Sequence, residues 1–151
     1  MSIWTYAEGF SPGEKWGEPD RMNGLLLLLL AALRREFRAV DASARFIVHA
    51  GFATSGHAPR SQHYSGNAAD FHVETTLSYG DQVALMVDAL DGLQVTDRVG
   101  LGIYPHWNSP GFHLDVRGEK RRWGRLGGGY VSFEEAMEAM EEGEDDHTHN
   151  R

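Results

Sequence analysis

Residues 61–70 read Ser-Gln-His-Tyr-Ser-Gly-Asn-Ala-Ala-Asp. A polar loop passes here into an apolar strand, Ala68 to Glu74 (AADFHVE). His63 lies at the loop end and Asp70 enters the strand seven residues later. Gly66 between them permits a tight backbone turn, which folds the two side chains toward one centre. Alternation along the strand then sets Asp70 on one face, with Ala69, Phe71 and Val73 on the other.

A second stretch has the same character. In Pro110-Gly-Phe-His-Leu-Asp-Val-Arg117 the apolar residues Phe112, Leu114 and Val116 alternate with His113 and Asp115. His113 is the third ligand to set beside His63 and Asp70. Two imidazoles and one carboxylate make a half-open shell that leaves a corner for water, as catalytic zinc sites require.

The remaining elements follow from pattern. Met22, Leu25, Leu26, Leu29, Leu30, Leu33 and Phe37 step by three and four, which predicts a helix of about 20 residues after Pro19-Asp20. Arg34, Arg35 and Arg38 suit its last turns. Arg45–Ala50 (RFIVHA) reads as a buried strand. Ser78 with Asp81 opens a second helix to about Leu90, and strands follow near 99–104 and 112–117. Ser132 with Glu135 opens a last short helix to about Glu142, with Phe133, Ala136, Met137 and Met140 as its apolar stripe. The sum is an α+β fold in a single small domain, an antiparallel or mixed sheet with helices packed on one side.

The chain has 151 residues and a formal net charge of −8. That length supports one core. Of its 22 acids, eight fall in 134–151, so the body is near neutral. The domain is expected over 1–143, with an acidic disordered tail over 144–151 that also holds His147 and His149. A protein held to nucleic acid by phosphate contacts would be basic overall, so no nucleic-acid partner is expected. With no cysteine, thiolate metal sites and disulfides are excluded. The run Leu25 to Leu33 is too short to span a bilayer, which takes about 20 residues. The N-terminal MSIWTYAEGF is not a secretory signal, so synthesis in the cytoplasm is expected.

The pattern S-x-H-x-x-G-x-A-x-D, carried by Ser61, His63, Gly66, Ala68 and Asp70, is followed by Y-P…F-H-x-D-x-R. Together these resemble the zinc D-alanyl-D-alanine carboxypeptidase family, whose hedgehog/DD-peptidase fold also serves phage endolysins. The resemblance runs from about Phe46 to Trp123. It implies one Zn²⁺ per chain on His63, Asp70 and His113, a monomer, and hydrolysis of peptide bonds in peptidoglycan stem peptides, by carboxypeptidase or endopeptidase action. With no signal peptide, two routes fit equally: release to the cell wall as a phage or prophage lysin, and a cytoplasmic enzyme trimming recycled peptides.

Two positions depart from the family. Where many members carry a base shortly before the third ligand, this chain has Pro110. His106 is then the expected base and Asp115 the second candidate, or the group that orients a ligand histidine. Where the family has a carboxylate-binding Arg in a G-Y-R turn, this chain reads Gly51-Phe52-Ala53, and Arg60 is the substitute from the same loop. Loss of both functions would leave a zinc-holding, catalytically impaired peptidoglycan-binding module. The His113-x-Asp115 pair also matches Fe(II) oxygenases, but their further histidine could come only from His147 or His149.

Other side chains receive plainer readings. His49 is a hydrogen-bonded core histidine, His57 a solvated loop residue, and His72 a strand residue sharing the face of Asp70. Arg117, Lys120, Arg121, Arg122 and Arg125 form a solvated loop that offsets the acidic tail. Trp123 packs in the core, and Tyr104, Trp107 and Phe112 flank the cleft or fill the interior.

Overall fold

The computed structural model of the protein describes residues 2–149, with side chains through Glu141. Met1, Asn150, Arg151 and the tail side chains from Glu142 onward, which include His147 and His149, lie outside the described residues, while the backbone of the expected tail is helical through His149, past the expected helix end near Glu142.

The elements run α1 (Gly24–Val40), β1 (Arg45–Ala50), β2 (Ala68–Glu74), α2 (Tyr79–Gly92), β3 (Gly100–Tyr104), β4 (Gly111–Asp115), β5 (Arg121–Leu126), β6 (Gly129–Val131) and α3 (Phe133–His149). The six strands form one mixed sheet in the order β1-β2-β4-β3-β5-β6. Every neighbouring pair is antiparallel except β3 and β5. This is the expected α+β single domain.

Strand alternation divides the sheet. Phe46, Val48, Phe71, Val73, Phe112, Leu114, Leu101 and Ile103 are buried with Leu26, Leu30, Phe37, Met86, Leu90 and Phe133 from the helices in one core. Burying each such large apolar side chain stabilises the fold by about 1.5–3 kcal/mol. The opposite face carries the histidines and aspartates.

The first helix begins later than its sequence pattern suggests. Pro19–Arg21 forms a short 3₁₀ turn, and α1 starts after Asn23, whose side chain accepts from the Leu25 amide. The buried stripe is Leu26, Leu27, Leu30, Leu33 and Phe37, while Leu25 is 70% exposed. Among the described residues, no helix is long and apolar enough to cross a membrane.

The basic stretch is not a loop. Residues 121–126 and 129–131 are strands that extend the sheet past β3. Arg122, Gly124 and Leu126 turn toward α3, where Gly124 lies against Ala136 and the Arg122 guanidinium over Phe133. Arg121, Trp123 and Arg125 therefore turn to the open face.

Candidate metal centre

His63 sits in a 3₁₀ turn, Gln62–Ser65, in which its own amide donates to the Ser61 hydroxyl and which ends on Gly66. Gly66 has φ +71°, and a Cβ there would lie 2.0 Å from the Arg21 carbonyl oxygen, so no other residue fits without moving the backbone. The Gly66 carbonyl also accepts from the Asn23 amide, which ties the loop to the start of α1.

This turn buries the His63 ring to 2% exposure. Its Nδ1 lies 2.7 Å from the Gly51 carbonyl oxygen. A carbonyl only accepts, so Nδ1 carries the proton and Nε2 keeps a lone pair. That lone pair is buried without a hydrogen-bond partner and faces Asp70 Oδ1 at 3.2 Å. Two acceptors brought face to face in a buried site call for a cation between them.

Asp70 pairs across the sheet with His113. His113 Nδ1 is 2.9 Å from the same Asp70 Oδ1, and its Nε2 is 2.7 Å from Asp115 Oδ2. Asp115 is fully buried. Arg117 donates to both of its oxygens, Nε to Oδ1 at 2.8 Å and a terminal nitrogen to Oδ2 at 2.7 Å. Each imidazole is thus gripped at its outer nitrogen and presents its inner nitrogen to Asp70. With metal–ligand bonds of about 2.0–2.1 Å, the edge of a tetrahedral shell is about 3.3 Å. The 3.2 and 2.9 Å separations, both to Asp70 Oδ1, are close to that edge, but His113 is not in the group whose donor atoms all lie within 4.8 Å of one another, which among the described residues is His57, His63 and Asp70.

The charges are mutually supporting. Burial pushes the Asp70 carboxyl up, but His113, by hydrogen bond and charge, outweighs it and holds it well below the usual range. Burial likewise opposes charge on Asp115, where Arg117 and then His113 prevail and keep it ionised. His113 is disfavoured as a cation by burial, yet the two carboxylates raise it above an ordinary histidine.

His57 also belongs here. His57, His63 and Asp70 offer donor atoms within 4.8 Å of one another, close enough to hold one metal ion. The His57 ring stacks on His63 with centroids 4.0 Å apart, and burial followed by the charge of His63 lowers its pKa. Nothing in the sequence around Gly56-His57-Ala58 distinguishes it from a solvated loop residue; only the fold of the loop brings it in.

The cleft above these groups encloses about 390 Å³. Beside it, the open face of β3 carries only Gly100 and Gly102 before Tyr104, which lines the cleft. A Cβ on Gly102 would lie 2.7 Å from the Trp123 ring, and one on Gly100 would lie 2.6 Å from Asp115 Oδ2. The bare strand lets Trp123 lean across until its ring centroid is 5.0 Å from that of His113. Trp123 is therefore a cleft wall and not core packing. Its Nε1 donates to the Tyr104 hydroxyl at 3.0 Å, and burial raises the Tyr104 phenol to about 12.

Of the further candidates, Asp115 lies behind His113 as its orienting partner. His106 is exposed and outside the cleft lining; its Nδ1 accepts from the Gly127 amide at 2.8 Å and so pins the β5–β6 turn. Arg60 is exposed, with φ +64°, and also lies outside the lining, although Ala58 and Ser61 beside it are part of the wall. His49 is not in the core. Phe46 and Val48 point inward, so alternation turns His49 out to the open face, where its Nε2 meets His72 Nδ1 at 2.5 Å.

Compared with known proteins, the chain matches no family model and no curated protein.

Proposed function

We propose that this protein is a zinc-dependent peptidase of hedgehog/DD-peptidase-like fold that hydrolyses peptide bonds in peptidoglycan. The observation that carries the metal is the buried, unpartnered Nε2 of His63 facing Asp70. The two sequence blocks around His63–Asp70 and His113–Arg117 support the substrate class through their resemblance to the D-alanyl-D-alanine carboxypeptidases.

His63 Nε2, Asp70 and His113 Nδ1 would hold the ion. The rings of His57 and His63 stack at 19°, so their in-plane lone pairs run side by side and do not converge on one point. His57 is better suited as the base. Zinc in this shell would supply Lewis-acid polarisation of the scissile carbonyl and an acidified water, its pKa brought to about 7. His57, kept neutral by burial, takes a proton at its ring nitrogen and returns it to the leaving amine. Tyr104 keeps its proton at neutral pH, and because its oxygen already accepts from Trp123, its O–H is directed to an acceptor on the substrate. Asp115 and Arg117 fix the His113 ring so that Nδ1, not Nε2, meets the ion.

The test pairs metal content by mass spectrometry with cleavage of purified muropeptides. One zinc per chain and new peptide fragments are expected. A protein that takes up no stoichiometric metal, or a loaded protein that yields no fragment, overturns the reading.

A further inference from the structure

Three rows of residues cross the open face of the sheet. The middle row runs Asp70, His113, Gly102, Trp123; one flanking row runs Ala68, Asp115, Gly100, Arg121. By continuation of the parallel β3–β5 register, the other ends at Arg125, beside Tyr104. Arg121 and Arg125 both line the cleft. Four residue steps along the strand separate them, a span of about 13 Å.

The five bases of this segment have different duties. Arg117 is committed to Asp115, and Arg122 lies over Phe133 on the other face. Arg121 and Arg125 face the cleft with no acid partner among the described residues. Arg125 rests over the Tyr130 ring at 5.0 Å, which positions the guanidinium without neutralising it. The spacing forbids both arginines from gripping one carboxylate. It suits two anionic groups on an extended chain that crosses the middle row.

We propose that the cleft selects an extended peptide with acidic groups on both sides of the bond to be cut, one held by Arg121 and the other by Arg125, with the chain lying against Trp123. This rests on the peptidase reading for the word "cut"; the binding itself does not require it. An acidic peptide fits better than nucleic acid because two acidic side chains can be spaced to reach the two arginines alone, whereas a phosphate at every nucleotide would also bring negative charge over Asp70 in the middle row.

The test is binding of four blocked pentapeptides, acetyl-Glu-Ala-Ala-Ala-Glu-amide and its two single and one double Gln-for-Glu forms, followed by tryptophan fluorescence in metal-free and zinc-loaded protein. For the wild type, each Glu-to-Gln exchange is expected to weaken binding about three- to tenfold, less at high salt. Arg121→Gln is expected to abolish the penalty at one end of the peptide only, and Arg125→Gln at the other end only. Equal binding of all four peptides by the wild type overturns the proposal, as does discrimination that survives in both variants. Tighter binding of a single-stranded oligonucleotide than of the acidic peptide overturns it as well. If either variant fails to fold, the four-peptide series on the wild type decides alone. Absence of zinc uptake would overturn the peptidase reading and leave the peptide discrimination to be judged on its own result.

Discussion

Two pairs of histidines lie on the same face of one sheet, yet only one pair is built as a site. His63 and His113 are buried, each gripped at its outer nitrogen, by the Gly51 carbonyl and the Asp115 carboxylate, with Asp70 between their inner nitrogens. His49 and His72 meet each other nitrogen to nitrogen on the rim, stacked at 4.7 Å beside Trp107, with no carboxylate between them. On the proposed reading, the difference teaches that anchoring, and not the number of imidazoles, fits a pair to hold a metal. A gripped ring holds one lone pair on target and loses little rotational freedom when the ion arrives.

The comparison can be broken most severely at its centre. Asp70→Asn removes the carboxylate shared by both gripped rings, and zinc affinity is expected to fall by more than about a hundredfold, measured by competition with a chelating dye. An affinity within tenfold of wild type would show that the ion does not sit between His63 and His113. Asp115→Asn tests anchoring itself. It leaves all three proposed donors in place but weakens the grip on His113, and a drop of about 10- to 100-fold in zinc affinity or activity is expected. Unchanged affinity would mean that the buried Asp115–Arg117 pair serves folding alone.

Gly66→Ala disturbs the gripped pair through the backbone. The left-handed conformation and the approach of the Arg21 carbonyl together predict a loss of at least about 2 kcal/mol in chemical denaturation. A variant as stable as wild type would show that the His63 turn is not fixed there.

Asp41 supplies a carboxylate with anchors but no imidazole, just past the end of α1. It accepts from Thr75 Oγ1 at 2.6 Å, from Ser43 and from the Thr76 amide, and these bonds, Thr75 first, hold its pKa well below the usual carboxylate range. Its folded pKa is thus below the unfolded value of about 3.9. The stabilisation is complete above that value and is lost as the pH falls toward the folded pKa. The gap in melting temperature between wild type and Asp41→Asn should therefore narrow as the pH is lowered from about 6 to about 3. A gap that stays constant would place the effect in packing.

The smallest effect is expected at the ungripped pair. His49→Ala and His72→Ala should leave zinc stoichiometry unchanged and alter stability by no more than about 0.5 kcal/mol. Halved zinc content in either variant would make the rim pair a participant in the site.

The sequence was readable where period and turn chemistry agree. The α2 cap at Ser78, strand β2 and the placing of Asp70 and His113 on its open face follow from alternation and from Gly66. β5 was hidden because its inward positions are Arg122, Gly124 and Leu126, a set with little apolar character. Those residues suffice because α3 packs directly on them, with Ala136 occupying the space beside Gly124. With β5 unseen, Trp123 and the two outward arginines could not be assigned to a wall. His49 was misplaced because RFIVHA was read as apolar throughout, whereas alternation with Phe46 and Val48 inward already turns His49 to the open face. His57 and the isolation of His106 depend on loop paths for which the residue pattern holds no information.

The bare open face of β3 separates two kinds of inheritance. The place of the Trp123 wall depends on the methyl group that is absent at 102, whereas the candidate donor atoms reside on β2, on β4 and in the His63 turn. A single methyl added at 102 would displace the indole and reshape both banks without touching a ligating atom. Descendants of this chain can therefore change which molecules fit, one small step at a time, while their coordination chemistry stays as it was.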